Sequence, residues 1–180
     1  MIERLKNSNP EVSGPAWQSA GSYGAIAVEE LGALMSNENF EIARNAKRAL
    51  QQIVRHAGRP QAKKDARSVQ QALIRLLQSP SKVVRRETLW MLSEIGEKSA
   101  VSPMAALLMN PETREDARCA LLRMPKKQAA AEFRTALRKA PEEFRSALAY
   151  SLRRLGETVE SYPNETRVGA TPTSVTEIPK

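Results

Sequence analysis

The sequence has 180 residues, of which 41% are hydrophobic but only 4% are aromatic, so alanine and leucine have to supply most of a core. Its 28 Lys and Arg residues outnumber the 20 Asp and Glu residues, and the net charge of +8 favours a nucleic acid, an acidic protein or an anionic lipid as the partner. A single cysteine and a single histidine exclude an internal disulfide framework and leave too few ligands for a zinc site.

The chain opens with a polar stretch and then becomes helical. Residues 1–15 contain few large apolar side chains, and we predict that they are poorly ordered. The strongest helix of this region is predicted over residues 25–36. Asn37 then follows as the predicted N-cap of a helix from about residue 38 to residue 56. The opening residues lack the apolar stretch of a secretory signal, and we therefore expect a cytoplasmic protein.

Three later corners share one chemistry, in which a proline ends a polar or small turn. They are Ser79-Pro80, Asn110-Pro111 and Ala140-Pro141. Proline lacks the N–H that the first helical residue does not need, so each corner is predicted to begin a helix with proline as its first residue. The segment 61–77, which follows a Gly-Arg-Pro break, is compatible with a long helix or with a loop, and periodicity alone does not decide between them.

The remaining segments complete one predicted helical domain over residues 16–156. Within it, residues 98–109 and 125–139 are predicted to be helices that precede the second and third proline corners. After residue 156 the sequence is rich in Pro, Thr, Ser and Glu and has few large apolar residues. We therefore predict a disordered tail over residues 157–180.

A template of five positions recurs four times in this domain. Small or apolar residues at offsets of 0, 4, 7, 8 and 11 lie on one helical face, and the template fits when it starts at Ile42, Val84, Thr113 or Phe144. The spacings between these starts, 42, 29 and 31 residues, are typical of stacked helical repeats rather than of one globular core. We predict that the template positions form the interior of the domain.

The residues around the template resemble a known repeat family. An arginine follows the first template position at Arg85, Arg114 and Arg145, and the Ile-Gly-Glu ending at 95–97 is matched by Leu-Gly-Glu at 155–157. These features resemble HEAT repeats, in particular the short variety of the phycobilisome lyases. The resemblance implies an all-α, right-handed solenoid of about four stacked antiparallel helix pairs, an armadillo-like superhelix whose second helices line the inner surface. We expect the recurring arginines to link neighbouring units, although the aspartate that pairs with them in the family is absent from the corners.

The face opposite the template interior is the predicted binding surface, and it corresponds to offsets of 2, 6, 9 and 13 in each second helix. Its predicted partner-binding residues are Arg44, Arg48, Arg55, Arg86, Trp90, Tyr150 and Arg153. Arginines suit carboxylates or phosphates, and the two aromatic residues are suited to anchor a partner. The alternative interpretation is a solvated charged face whose aromatic residues pack against the adjacent unit.

The sequence contains no phosphate-cradling glycine loop, metal motif or nucleophile with a paired base, and it suggests no cofactor. We therefore predict a non-enzymatic interaction or scaffold module that binds an acidic protein or peptide on a partly basic concave surface. The alternative is nucleic-acid binding through residues 41–100, which carry 13 basic and 5 acidic side chains. A less favoured alternative is a HEAT-like lyase or glycosylase. Trp90 with Asp65 or Asp116 would be the candidate residues of a glycosylase, but no motif residue of that class maps onto the sequence.

Overall fold

The computed structural model describes residues 1–162, and most of the predicted tail over 157–180 lies outside the described residues. The described part contains ten α-helices, two 3₁₀ helices and no strand, which confirms the all-α class. The α-helices are α1 (Ile2–Leu5), α2 (Pro10–Gln18), α3 (Val28–Leu34), α4 (Phe40–Ala57), α5 (Lys63–Leu76), α6 (Lys82–Ile95), α7 (Lys98–Ala105), α8 (Arg114–Leu121), α9 (Lys126–Lys139) and α10 (Glu142–Arg154). The 3₁₀ helices are Ala20–Ala27 and Ala106–Met109.

The segment 1–15, which the sequence predicts to be poorly ordered, instead contains α1 and the start of α2. Leu5 is fully buried, so the short first helix is held by the core. The side chain of Asn9 caps α2 by accepting a hydrogen bond from the backbone N–H of Glu11 at 3.0 Å, and Pro10 occupies the first helical position. A good cap, a well-placed proline and one buried leucine outweigh the polar composition of this segment.

The next helix starts also differ from the prediction. The helix predicted over residues 25–36 is divided, because the first 3₁₀ helix extends to Ala27 and contains Gly24 at a φ of +57°. This left-handed conformation is accessible to glycine at little cost. The N-cap of α4 is Asn39 rather than Asn37, and its side-chain oxygen accepts hydrogen bonds from the backbone N–H groups of Glu41 and Ile42.

The proline corners lie just before the helices rather than inside their first turn. Helix α6 begins after Ser81, whose hydroxyl accepts from the N–H of Val84 at 3.5 Å, and α8 begins three residues beyond Pro111. Only at the third corner is proline immediately adjacent, since Pro141 is the N-cap of α10. The corners therefore stop one helix and turn the chain before the next one starts.

The helices pack in two layers that follow the order of the chain. Helices α3, α5, α7 and α9 contact one another in succession, and α2, α4, α6 and α8 do the same beside them. Consecutive helices also pack across the layers, for example α4 on α5 and α7 on α8. The segment 61–77, for which a helix and a loop were both compatible with the sequence, forms α5 in the first layer. Helix α10 packs on α9, and Arg118 of α8 donates a hydrogen bond to Ser151 of α10 at 3.0 Å.

The template positions form the core, as predicted. In α6, the residues Val84, Thr88, Met91 and Leu92 are all at least 99% buried, and most template positions of the other three copies are buried too. Across all four copies, three template positions are only half-buried. The half-buried positions are Ile42, Ile95 and Leu155. Many of the buried residues are alanines, which have no side chain beyond Cβ and so allow neighbouring helices to approach closely.

One edge of the molecule is formed by the corners that join α4 to α5, α6 to α7 and α8 to α9. These three corners lie side by side. A Cβ atom at Gly58 would lie 3.1 Å from Cγ2 of Ile95, and a Cβ atom at Gly96 would lie 2.9 Å from Cε of Met124. Each glycine therefore allows its corner to pack directly on the next one.

The opposite edge is linked by arginine and glutamate residues. The guanidinium of Arg85, which is 9% exposed, donates to the carbonyl oxygens of Ser79 and Pro80 and to Glu112 of the following corner at 2.9 Å. In the same way, Arg114 pairs with Glu143, one corner further on, at 3.3 Å. Glutamate is thus the partner of both arginines at this edge.

The third recurring arginine differs, because Arg145 bonds to the carbonyl of Ala140 and to Glu142 within its own corner. The predicted link between units is therefore present for Arg85 and Arg114, whereas the described residues give Arg145 a local role. The pKa of Glu143, the partner of Arg114, is lowered below its usual range. The larger cause is a hydrogen bond that its carboxylate accepts from the backbone N–H of Glu143, and the second is the hydrogen bond from Arg114.

Substitution of a corner glycine, with a glycine inside a helix as the control, tests how tightly the corners pack. We expect Gly96→Ala to lower the free energy of unfolding by about 1–3 kcal/mol, because its Cβ would lie 2.4 Å from the carbonyl oxygen of Leu92. Gly14→Ala is the matched control, since no atom lies within 4 Å of its Cβ position inside α2, and it should raise stability by about 0.4–1 kcal/mol. Urea unfolding followed by circular dichroism measures both. Equal effects of the two changes would contradict the packing described here.

Candidate functional site

A continuous groove crosses the second layer of helices, from α2 over α4 and α6 to α8. Its largest part, a cavity of about 620 Å³, lies between α4 and α6. It continues on one side into a cavity of about 110 Å³ between α2 and α4, with Arg44 and Arg48 in both linings. On the other side it continues into a cavity of about 370 Å³ and then into one of about 170 Å³ between α6 and α8. Trp90 lines both of these cavities.

Apolar side chains that are open to solvent lie along this groove. Phe40 is 69% exposed, Val83 is 55% exposed and Trp90 is 49% exposed. Phe40 and Val83 are in the first turns of α4 and α6, so both project at the same end of the second layer. Such a row of exposed large apolar residues is unusual on a surface that contacts only water, and it is typical of a surface that binds another molecule.

Most cations of the groove are neutralised by carboxylates within the described part of the chain. Lys47 of α4 pairs with Glu87 of α6 at 2.5 Å, and Arg86 of α6 pairs with Asp116 of α8 at 2.8 Å. The hydrogen bond to Asp116, followed by the attraction of its charge, raises the pKa of the Arg86 guanidinium. Arg44 pairs with a glutamate one turn earlier in its own helix. These pairs leave the middle of the groove with little net charge.

Two arginines differ, because each lies over an indole ring and has no carboxylate partner among residues 1–162. The guanidinium carbon of Arg48 lies 5.2 Å from the ring centre of Trp17, and that of Arg123 lies 4.9 Å from the ring centre of Trp90. Both distances are within the range of cation–π attraction. One pair joins α2 to α4 and the other joins α6 to α8, so they mark the two ends of the groove.

The groove contains four of the seven predicted site residues, namely Arg44, Arg48, Arg86 and Trp90. The other three lie elsewhere. Arg55 is exposed in the last turn of α4, and Tyr150 is 44% exposed on α10, outside the groove lining. Arg153 is occupied within the chain, where it donates to the carbonyl oxygens of Val159 and Tyr162.

The sequence interpretation missed four residues of the groove. Trp17 lies in a helix that was not predicted, and Phe40 and Val83 occupy the first turns, ahead of the offsets used for the prediction. Arg123 follows α8 at an offset of 10 from Thr113, next to a predicted position. A signal was available for Trp17, since one of only two tryptophans in the chain lies in a segment otherwise short of large apolar residues.

Within residues 1–162, no group of three or more His, Cys, Asp and Glu side chains is arranged to hold a metal ion. Cys119 is exposed in the lining of the groove between α6 and α8, and no helix in the described range has the length and apolar character needed to cross a membrane. The groove presents exposed apolar side chains and two guanidinium groups that have no carboxylate partner among residues 1–162.

Comparison with known proteins adds little to this description. No protein-family model matches the chain, and no curated protein matches it. Among solved structures, the chain is similar to the crystal structure of an engineered protein, with 18% sequence identity and a TM-score of 0.45. The match covers 86% of this chain and 77% of the engineered protein.

Replacement of Trp90 distinguishes a binding residue from a core residue. Because Trp90 is half exposed, we expect Trp90→Ala to lower the free energy of unfolding by only about 1–2 kcal/mol, from partial burial and the contact with Arg123. Phe133→Ala is the comparison, since Phe133 is fully buried and should cost about 3–5 kcal/mol. Denaturant unfolding measures both values. A cost for Trp90→Ala as large as that for Phe133→Ala would favour the structural interpretation.

Proposed function

We propose that the protein is a non-enzymatic interaction module that binds a partner polypeptide in the groove across α2, α4, α6 and α8. The observation that carries this proposal is the row of exposed apolar residues, Phe40, Val83 and Trp90, set among charges that are already paired. The centres of protein interfaces are rich in aromatic residues and arginine and poor in unpaired charge. The groove has this composition.

We further propose that the two layers form a right-handed solenoid of the HEAT type. The order of helix contacts supports it, because each layer is built from alternate helices in chain order. Ion pairs also recur between successive units at similar separations, 27 residues for Arg85–Glu112, 29 for Arg114–Glu143 and 30 for Arg86–Asp116. A repeat that contacts only its neighbours gives this pattern. The groove then corresponds to the inner surface, with α2 as an additional member.

The chemistry of the groove favours a partner with both apolar and acidic residues. After the internal ion pairs are taken into account, the guanidinium groups of Arg48 and Arg123 remain available, one at each end. Each is already oriented on an indole ring, so less conformational freedom is lost when it binds a carboxylate. Between them, Phe40 and Val83 offer an apolar contact. We infer a peptide with an apolar anchor flanked by carboxylates.

Phosphate binding by the basic helices of residues 41–100 has less support in this groove. Lys47 and Arg86 are engaged with carboxylates, and Glu87 and Asp116 contribute negative charge to the same lining. A phosphate backbone at this position would have to displace both ion pairs. A lyase or a glycosylase has less support as well. Trp90 and Asp116 line the same cavity, but the Asp116 carboxylate is already paired with Arg86 at 2.8 Å.

A peptide library selected on the purified protein tests the proposal. We expect the selected peptides to combine an apolar residue with Asp or Glu. Phe40→Ala and Trp90→Ala should each weaken their binding about tenfold or more, because both remove an exposed apolar contact of the groove. Ile26→Ala is the matched control, since Ile26 is 85% exposed outside the groove and should have no effect. Fluorescence anisotropy of labelled peptides measures each affinity.

The role of the two arginines is tested with a double-mutant cycle on the same peptides. Replacing the acidic residues of a peptide by their amides should weaken its binding to the wild-type protein but not to the variant Arg48→Gln/Arg123→Gln, which lacks both guanidinium groups. Peptides that bind Phe40→Ala and Trp90→Ala as tightly as the wild-type protein would show that the groove is not the site of recognition.

A further inference from the structure

The net positive charge of the protein is concentrated on one edge. The edge consists of the corners between α4 and α5, α6 and α7, and α8 and α9, that is, segments 55–67, 94–98 and 122–127. These segments contain nine Lys and Arg residues but only three Asp and Glu residues, whereas the whole chain has a net charge of +8. The edge therefore carries most of the excess positive charge, although it accounts for a small part of the chain.

The three corners form one surface, because each contacts the next. Gly58 packs against Ile95, Gly96 packs against Met124, and Arg67 of α5 pairs with Glu97 of the second corner at 3.3 Å. Neighbouring helices lie about 8–10 Å apart, so the three corners span roughly 20 Å. Their charges therefore lie close enough together to act on one ligand.

Six cations of this edge are exposed and have no carboxylate partner among residues 1–162. We call them the basic edge: Arg55, Lys63, Lys64, Lys98, Lys126 and Lys127. Two of the three local carboxylates are already paired, Asp65 with Arg59 at 2.9 Å and Glu97 with Arg67. Only Glu94 remains. On the opposite edge, by contrast, the arginines are cross-linked by glutamates, as with Arg85 and Glu112.

The position of the lysines is unfavourable for the helices that carry them. Helices α5, α7 and α9 each begin with lysine, at Lys63, Lys98 and Lys126. The start of a helix has a partial positive charge, so a cation there is repelled and an acidic residue is preferred. Helices α5, α7 and α9 share this choice at the same edge, and α6 also begins with a lysine, Lys82, at the opposite edge. What distinguishes this edge is the number of exposed cations that have few carboxylates beside them, and such a surface suits an anionic ligand.

The composition of the edge separates the candidate ligands. Protein interfaces are poor in lysine and have aromatic or aliphatic residues at their centre, whereas five of the six cations are lysines and no large exposed hydrophobic residue lies in the three segments. A membrane-bound surface normally adds apolar residues to its cations. Contacts to a phosphate backbone need cations but no aromatic or aliphatic side chains.

We propose that the basic edge binds the phosphate backbone of a nucleic-acid duplex, independently of its base sequence. A duplex carries one negative charge per about 1.7 Å of its axis, so a span of roughly 20 Å presents about twelve phosphates to six cations. This surface is distinct from the peptide groove, although Arg123 lies close to both. The module thus joins a nucleic acid on its edge to a protein partner in its groove.

Salt dependence of duplex binding gives the first test. With about six phosphate contacts, the affinity for a labelled duplex of about 20 base pairs, of DNA or of RNA, should fall about 1,000-fold between about 50 and 200 mM salt. Vesicles of phosphatidylserine and phosphatidylcholine serve as the competing anionic surface. Duplex binding that is absent at low salt, or vesicle binding that is tighter than duplex binding, would overturn the proposal.

Helix α9 offers a matched pair of variants, because it has two cations at each end. Lys126→Gln/Lys127→Gln removes two charges from the basic edge, whereas Arg138→Gln/Lys139→Gln removes two from the opposite end of the same helix. The first variant should bind duplex about tenfold or more weakly and reduce the salt slope by about two. The second should bind nearly as tightly as the wild-type protein, and equal losses in the two variants would show a nonspecific effect of net charge.

Thermal unfolding excludes misfolding as the cause of any loss. Lys126→Gln/Lys127→Gln removes a repulsion at the start of α9, so its melting temperature should be unchanged or higher while duplex affinity falls. Phe40→Ala, in the groove, should leave duplex affinity unchanged. Loss of duplex binding in Phe40→Ala would place the nucleic acid in the groove and contradict the assignment to the edge. The peptide and the duplex proposals can therefore fail separately.

Discussion

The structure depends on one constraint, that each helix buries its apolar face against helices that lie near it in the chain. Alanines on these faces let the helices approach closely, and the chain alternates between two layers as a result. The arrangement leaves one broad face of the second layer open and places the corners between α4 and α10 on two edges. The groove, the glutamate-linked edge and the basic edge are the surfaces that this constraint exposes.

Much of the interior could be predicted because it depends on local periodicity. The template at Val84 and its three copies identified buried positions, since residues that share a helical face share an environment. The ends of the helices were predicted less well. The start of a helix depends on which side chain accepts hydrogen bonds from the first backbone N–H groups, and at α4 this residue is Asn39 rather than Asn37. The first segment was missed because Leu5 is a single buried residue in a polar stretch.

The lining of the groove was predicted in part, for a similar reason. Arg86 and Trp90 lie on one side of α6 by periodicity alone, and both line the groove. Which charged side chains of the groove remain unpaired depends on contacts between helices, and the periodicity of a single helix does not predict such contacts. The pairing of Lys47 with Glu87 joins residues 40 positions apart, and the contact of Trp17 with Arg48 requires a helix that the sequence did not reveal. The resemblance to HEAT repeats implies an architecture, but it does not predict these pairings.

The Arg85–Glu112 contact and its successor have a consequence for how the chain folds. They connect residues only 27 and 29 positions apart, so each contact forms once the next corner of the chain is in place. Contacts between residues that are close in the chain favour rapid folding, because a short loop costs less entropy to close. Helix α10 has neighbouring helices on one side only within the described residues, so we expect unfolding to begin at this end. The segment to which Arg153 donates a hydrogen bond covers that end.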